Sequence, residues 1–354
     1  MELLHVDNYT PFVWFAFEKM APGRNLCDVL IVKALCELTA TGSGNDIRPS
    51  TDGKVAPIHM SDALYETPNG AFASLERAGD TVLFKPATDF IVHGTALPPN
   101  THTKEWPAQI SVKTEHGIRR QIWILNGTRY WQYSILKGWH LGPAQNSDTL
   151  SLQYENAYGG SYPDKDGWQR YSANPAGVGY IPSARLDRHI YYPAARIELL
   201  GHRLDSRIDR HVDPPALGAI GRCWAARSHH AGTYDTSWFR QPEHLLGRDY
   251  PKDFDLHFFQ VAHPFWIFTP YWIGNESIEL LGLKGQEHIY GSLPGWQVLC
   301  SVQPLYANPI TRPMVLDTVE IDLDAMQLYL TWRITLNQRW RVRQAQIKLR
   351  TYKT

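Results

Sequence analysis

The sequence predicts a mainly β protein, a large antiparallel β-sandwich or barrel-like assembly of many short strands with long ordered loops and few short helices. Three observations lead there. The 354 residues include 13 Trp and 18 Tyr, side chains that suit a pleated, half-buried surface. The 24 Pro and 26 Gly, spread along the chain, cut it into short segments. Near the end, apolar and polar residues alternate with period two. Val319, Ile321 and Leu323 interleave with Glu320, Asp322 and Asp324; Leu328, Leu330, Trp332, Ile334 and Leu336 interleave with Tyr329, Thr331, Arg333 and Thr335. That pattern predicts a hairpin turning at Asp324-Ala325-Met326, with one face in the core and the other wet.

Earlier elements follow from the same rules. Residues 27–39 are nearly continuous in apolar and β-branched side chains and stop at the turn-forming residues 41–45, which predicts a buried strand. Residues 88–94, 109–113, 119–125 and 150–154 continue a meander of strands between Pro, Gly and Asn clusters. The Gly/Pro-rich middle, about residues 156–220, is too irregular to assign and too aromatic for disorder, so an ordered loop region is expected. Phe254, Phe258 and Val261 share a face over residues 254–262, suggesting a short helix capped by Asp253. The chain reads as a single domain over 1–354, or as two β-rich lobes, about 1–160 and 190–354, joined by that middle.

Charge excludes some function classes. Lys+Arg and Asp+Glu both number 35, which leaves no long-range field to attract nucleic acid. The basic run Arg333, Arg339, Arg341, Arg343, Lys348, Arg350 and Lys353 alternates with apolar residues and reads as the wet face of a final strand. The N-terminus has no basic stretch followed by an apolar core, and no run of about eighteen apolar residues occurs. A cytoplasmic protein without membrane contact is expected. Cys27, Cys36, Cys223 and Cys300 lie far apart with no C-x-x-C pair, so they are expected to be small core residues rather than disulfides or zinc ligands.

Signatures of catalysis are missing. There is no G-x-S-x-G, and Gly177-Val178-Gly179 begins a nucleotide loop that Pro182 then spoils. His229-His230, with Asp235 and His257, matches no zinc spacing, and adjacent histidines in a strand would point to opposite faces. They are read as loop or surface histidines, and no catalytic residue, cofactor or metal is expected. Asp253, Asp255 and Glu276 lie among Trp238, Trp266, Trp272 and Trp296, as acids and stacking aromatics do in sugar hydrolases. The competing reading, which is favoured, has Asp253 capping a helix and Glu276 closing a turn.

Several segments, in order, resemble one bacterial family encoded beside VgrG, PAAR and effector genes and described as type VI secretion effector adaptors or chaperones. Residues 84–96 contain Lys85-Pro86-Ala87-Thr88-Asp89 and then Val92, Gly94 and Ala96, similar to K-P-x-T-D-x-x-V-x-G-x-A. Gly127, Arg129 and Trp131 match G-x-R-x-W. Ala157-Tyr158-Gly159-Gly160 and Asn174-Pro175-Ala176-Gly177-Val178-Gly179 match A-[FY]-G-G and N-P-x-G-x-G. Residues 213–218, 231–238, 251–255, 274–276 and 293–295 add further matches. The stretch between Trp238 and Pro251 departs from the family pattern, as does Ala262-His263-Pro264-Phe265-Trp266.

The resemblance implies a non-enzymatic protein that binds a toxic effector and helps load it onto the VgrG/PAAR tip. The candidate partner-binding or motif residues are Asn174, Gly177, Gly179, Tyr234, Asp235, Trp238, Arg240, Asp253, Asp255 and Phe258. A carbohydrate-active hydrolase using Asp253 or Asp255 with Glu276, and a small-ligand-binding module, stand as alternatives. The glycines and the Asn174-Pro175 and Asp213-Pro214 turns have a purely structural reading as well.

Overall fold

The strand Asn25–Leu38 is buried along almost its whole length on both faces. Period two sorts its side chains: Leu30, Val32, Ala34, Cys36 and Leu38 enter the main core, while Cys27, Val29 and Ile31 enter a second cluster with Val82, Leu83 and Phe259. A strand covered on both sides needs a continuous apolar run, which is what residues 27–39 supply. The computed structural model describes residues 4–351 apart from 41–43, 52, 67–71, 166, 206–207, 209, 243 and 245–246, so most of the expected turn at 41–45 and Lys353 lie outside the described residues.

Around this strand runs the central sheet, in the order Val13–Ala21, Asn25–Leu38, Gln327–Asn337, Val315–Asp322, Thr88–His93 and Ile267–Phe268. The C-terminal hairpin forms as the alternation predicts, with Ile321 opposite Leu328 and a left-handed Met326 in the turn. Thr88–His93 lies parallel to Val315–Asp322, a pairing of residues more than two hundred positions apart. A five-stranded sheet takes the order Ile197–Leu199, Gly117–Asn126, Glu105–Thr114, Ser277–Leu281 and His288–Ser292. In a four-stranded sheet, His5–Asn8 runs parallel to Val342–Thr351, followed by Trp296–Pro304 and Ile310–Pro313. The fold is thus mainly β and sandwich-like, with mostly antiparallel sheets and no closed barrel. The tryptophan-rich composition is spent inside: Trp106, Trp123, Trp266, Trp272 and Trp332 all belong to the main core. A separate core of Trp131, Tyr158, Ile181, Ala195 and Val212 underlies the Gly/Pro-rich middle, whose described residues form short paired strands and the helical turn Ser183–Arg185.

Several expectations need correction. Residues 150–154 hold only the two-residue strand Leu150–Ser151, paired to Thr95–Ala96, before a helical turn. Residues 254–262 are not a helix but a single turn, Leu256–Phe259, and its cap is Asp255, which accepts from the His257 amide. Asp253 accepts instead from Thr233. Cys223 is exposed, whereas the other three cysteines are buried. Arg333 and Thr331, expected on a wet face, are each only 1% exposed. Arg339, Arg341, Arg343, Lys348 and Arg350 do face solvent.

The burial of Arg333 follows from what covers the second face of the central sheet. Arg333 pairs with Asp317 and donates to the carbonyls of Asp80 (2.8 Å) and Val82 (2.9 Å). The pairing register shifts between Leu316 and Thr318, an extra residue that lets Asp317 meet Arg333. Lys33, continuing the odd-numbered face of its strand, pairs with Asp80 at 3.0 Å. Lys85 pairs with Asp89 at 2.8 Å and donates to Thr318 Oγ1 at 2.8 Å. Asp89 also accepts from Gln260 Nε2 (2.7 Å) and from the amides of Val261 (2.9 Å) and Ala262 (3.2 Å). The K-P-x-T-D motif therefore builds a buried ion pair that clamps a remote segment to the sheet.

A buried charge that loses its partner keeps its desolvation cost. Asp89→Ala, which strands the Lys85 ammonium and three further donors, is expected to lower stability by about 3–5 kcal/mol in urea denaturation.

On the same face His93 meets Glu320 at 3.0 Å. Burial opposes protonation of His93, but the hydrogen bond and charge of Glu320, aided by Asp322 and Asp324, raise its pKa above the ordinary 6.5. Burial would raise Glu320, yet His93, Lys33 and His59 hold it down at about 2. The His93 contribution is complete below about pH 6.5 and is lost as pH rises through the raised folded value; that of Glu320 is complete above its ordinary 4.5 and is lost as pH falls through about 2. The stability gap between wild type and His93→Gln should therefore shrink as pH rises above about 6.5, as measured by urea denaturation. A gap independent of pH would contradict this pairing.

Candidate partner-binding surface

Residues 224–262 contain little regular structure, so side chains must satisfy their backbone. Arg227, 3% exposed, does most of this: it donates to the carbonyl of Ile220 (2.8 Å) and twice to that of Phe258 (3.1 and 3.2 Å). These bonds lock the turn Ala225–Ser228 to the turn Leu256–Phe259. Desolvation lowers the Arg227 pKa to about 10, so the guanidinium stays charged at neutral pH. Gly232 is left-handed (φ 78°), and a Cβ there would sit 2.8 Å from Pro251 Cβ and 2.9 Å from Asp253 Oδ1. Beside it Asp253 takes the amide (2.9 Å) and hydroxyl (2.8 Å) of Thr233. Those bonds hold its carboxyl below the usual range.

The next helical turn, Thr236–Phe239, is capped by Asp235, which accepts from the Trp238 amide at 2.9 Å and the Ser237 hydroxyl at 2.7 Å. Both bonds lower the Asp235 pKa, the Trp238 amide most. The turn displays aromatic rings outward. Tyr234 is 47% and Phe239 58% exposed, and each contacts Trp238 edge-on, at centroid distances of 4.7 and 5.1 Å. The Arg248 guanidinium lies 5.0 Å from the Trp238 ring and 5.6 Å from that of Phe239. Trp238 Nε1 donates to the Asp249 carbonyl at 2.6 Å, and the Asp249 carboxylate accepts from the Gly23 amide at 2.9 Å. The aromatic cluster is thereby pinned to the edge of the central sheet. Arg240 is exposed beside it and has no ion-pair partner among the described residues.

The structure thus brings Tyr234, Asp235, Trp238, Arg240, Asp253, Asp255 and Phe258 into one segment, in unequal roles. Asp235, Asp253 and Asp255 hold turns. Phe258 packs on the second core beside Phe254 and Phe259. Tyr234, Phe239 and Arg240 face solvent. Phe239 and Arg248 had no motif to mark them; an aromatic pair, Trp238-Phe239, with a basic residue downstream was the available signal.

Asn174, Gly177 and Gly179 belong elsewhere, beside the core of the Gly/Pro-rich middle. Asn174 is fully buried and donates to the carbonyls of Tyr154 (2.8 Å) and Tyr158 (3.1 Å). A Cβ at Gly159 would lie 2.0 Å from the Asn174 carbonyl oxygen, and one at Gly177 would lie 2.6 Å from the Ala157 carbonyl oxygen. Gly179 needs its positive φ of 95°. These residues interlock two chain crossings. Gly159→Ala is expected to cost about 3 kcal/mol or more in urea or thermal unfolding, while whatever folded protein remains keeps its surface chemistry.

Among the candidate carboxylates, Glu276 is 4% exposed and accepts from the amides of Ile273 (2.8 Å) and Gly274 (2.9 Å), closing a turn. Burial holds its carboxyl above the usual range, against those amides. It lines a cavity of about 120 Å³ with Arg119, Phe268, Tyr271 and Trp272, and neither Asp253 nor Asp255 borders that cavity. Asp255 instead lies between two imidazoles: its Oδ2 is 3.0 Å from His230 Nδ1 and its Oδ1 is 2.7 Å from His257 Nδ1. His229 and His230 are not in a strand. They follow the turn Ala225–Ser228, with ring centroids 3.7 Å apart. Burial, and then His229, hold His230 below its ordinary pKa.

Fold and surface together define a mainly β, sandwich-like protein that presents an exposed aromatic cluster on a pinned loop. A family model described as "Uncharacterized protein conserved in bacteria (DUF2169)" matches residues 23–333, and the chain belongs to that family. No curated protein and no solved structure matches it. No helix of the described residues is long and apolar enough to cross a membrane.

Proposed function

We propose that the chain is a type VI secretion adaptor or chaperone, which binds a toxic effector and helps load it onto the VgrG/PAAR tip. The observation that carries this reading is the exposed pair Tyr234 and Phe239 around a half-buried Trp238, with Arg240 and Arg248 beside them, on a turn that Asp235 caps. Aromatic and arginine side chains dominate interface hot spots, and a pre-ordered loop loses little entropy on docking. The ordered motif resemblance supports the secretion context. Binding the folded effector would stabilise it by mass action and cover its apolar surface until delivery.

The experiment is co-purification of this chain with the product of the neighbouring effector gene. A Tyr234→Ser/Phe239→Asp double variant is expected to weaken capture roughly 30-fold or more, as loss of a hot spot of about 2 kcal/mol does. Its urea denaturation midpoint should stay near that of wild type, because both rings face solvent. Absence of any complex, with secretion unchanged on deletion of the gene, would overturn the reading.

A further inference from the structure

We infer that His230, Asp255 and His257 form a binding site for a first-row divalent cation of the Zn²⁺ type, with His229 at its edge. Two imidazoles and a carboxylate each offer one donor atom, and these atoms all lie within 4.8 Å of one another. Metal–ligand bonds of about 2.0–2.2 Å place donors within roughly 4 Å of each other, so small side-chain rotations close the set on one ion. Imidazole nitrogen with carboxylate oxygen is a donor set that Zn²⁺ accepts and that Mg²⁺ or Ca²⁺ disfavours.

The site is built rather than incidental, because Arg227, a backbone hydrogen bond and the Asp255 cap fasten the chain under the ligands. Arg227 ties the turn before His230 to the turn that contains His257. The Asp255 amide donates to the His230 carbonyl at 3.0 Å, which couples two ligands across 25 residues. Asp255 also accepts from the His257 amide at 2.9 Å, which fixes how that carboxylate is aimed. The imidazoles of His230 and His257 stack with centroids 5.4 Å apart. His229 Nδ1 lies 2.6 Å from the Ala225 carbonyl, an arrangement that sets its ring against that of His230, centroids 3.7 Å apart. Asp255 and His257 are about half exposed, so a bound ion keeps an open side toward solvent. Other exposed His–carboxylate contacts among the described residues, His5–Asp7, His116–Glu115, His202–Asp213 and His288–Glu279, pair one imidazole with one acid. Only the cluster on this loop brings two imidazoles onto one carboxylate among the described residues.

The inference is independent of the secretion reading. The full chain, freed of metal with a chelator, is titrated with Zn²⁺ by calorimetry and with Co²⁺ by visible absorption. One equivalent should bind per chain. Co²⁺ should give the ligand-field bands of a nitrogen- and oxygen-ligated site, and neither Mg²⁺ nor Ca²⁺ should compete. His257→Ala, at a half-exposed position, is expected to leave far-UV dichroism unchanged while weakening Zn²⁺ more than 10-fold; His230→Ala should do the same, and His288→Ala should not. Failure of the wild-type chain to bind one equivalent, or binding that survives both His230→Ala and His257→Ala, would overturn the inference.

Discussion

Buried charge on one face of the central sheet is the constraint on which the rest of the structure depends. Lys33, Arg333, Asp317, Lys85 and Asp89 are at most 3% exposed, and none can sit there without its partner. Because those partners come from distant segments, the requirement dictates topology. Asp80 and Val82 must pass over Arg333, and Gln260 to Ala262 must pass over Asp89. A hydrophobic face would accept many coverings of similar area. A face of fixed charges accepts the one that supplies the matching donors and acceptors.

That constraint reaches the surface through the loop it clamps. The segment from Trp224 to Ala262 is held at its far end by Asp89 and near its start by Arg227. Between these anchors Asp235, Asp253 and Asp255 each satisfy backbone amides that no strand or long helix would serve. Carboxylates that resemble catalytic acids in sequence are thus occupied in shaping turns. What remains turned outward is the aromatic cluster and, a few residues away, the imidazoles around Asp255. Both sit beside turns that these carboxylates hold in place.

The motifs behind the family resemblance have a common structural theme. Lys85 and Asp89 form an ion pair, Arg129 pairs with Glu198 at 2.8 Å, and Asn174 bridges two carbonyls beneath glycines that leave no space for a side chain. Such residues build the fold, and their burial leaves them no surface to offer.

Local chemistry by itself determined the β class, the C-terminal hairpin and the buried strand Asn25–Leu38. Each depends on side-chain alternation, apolar runs or turn residues that lie within a few positions of one another. Tertiary structure alone decided that Arg333 is buried, that Asp255 rather than Asp253 caps the turn, and that His230 meets His257. The burial of Arg333 depends on partners 16 to 253 residues away and on a register shift at Asp317, and the meeting of the imidazoles depends on an Asp255–His230 contact across 25 residues. Alternation assigns a side chain to one face of a strand or the other. Whether that face meets water or a buried carboxylate is set by the chain that crosses it, and residues near in sequence carry no record of that crossing.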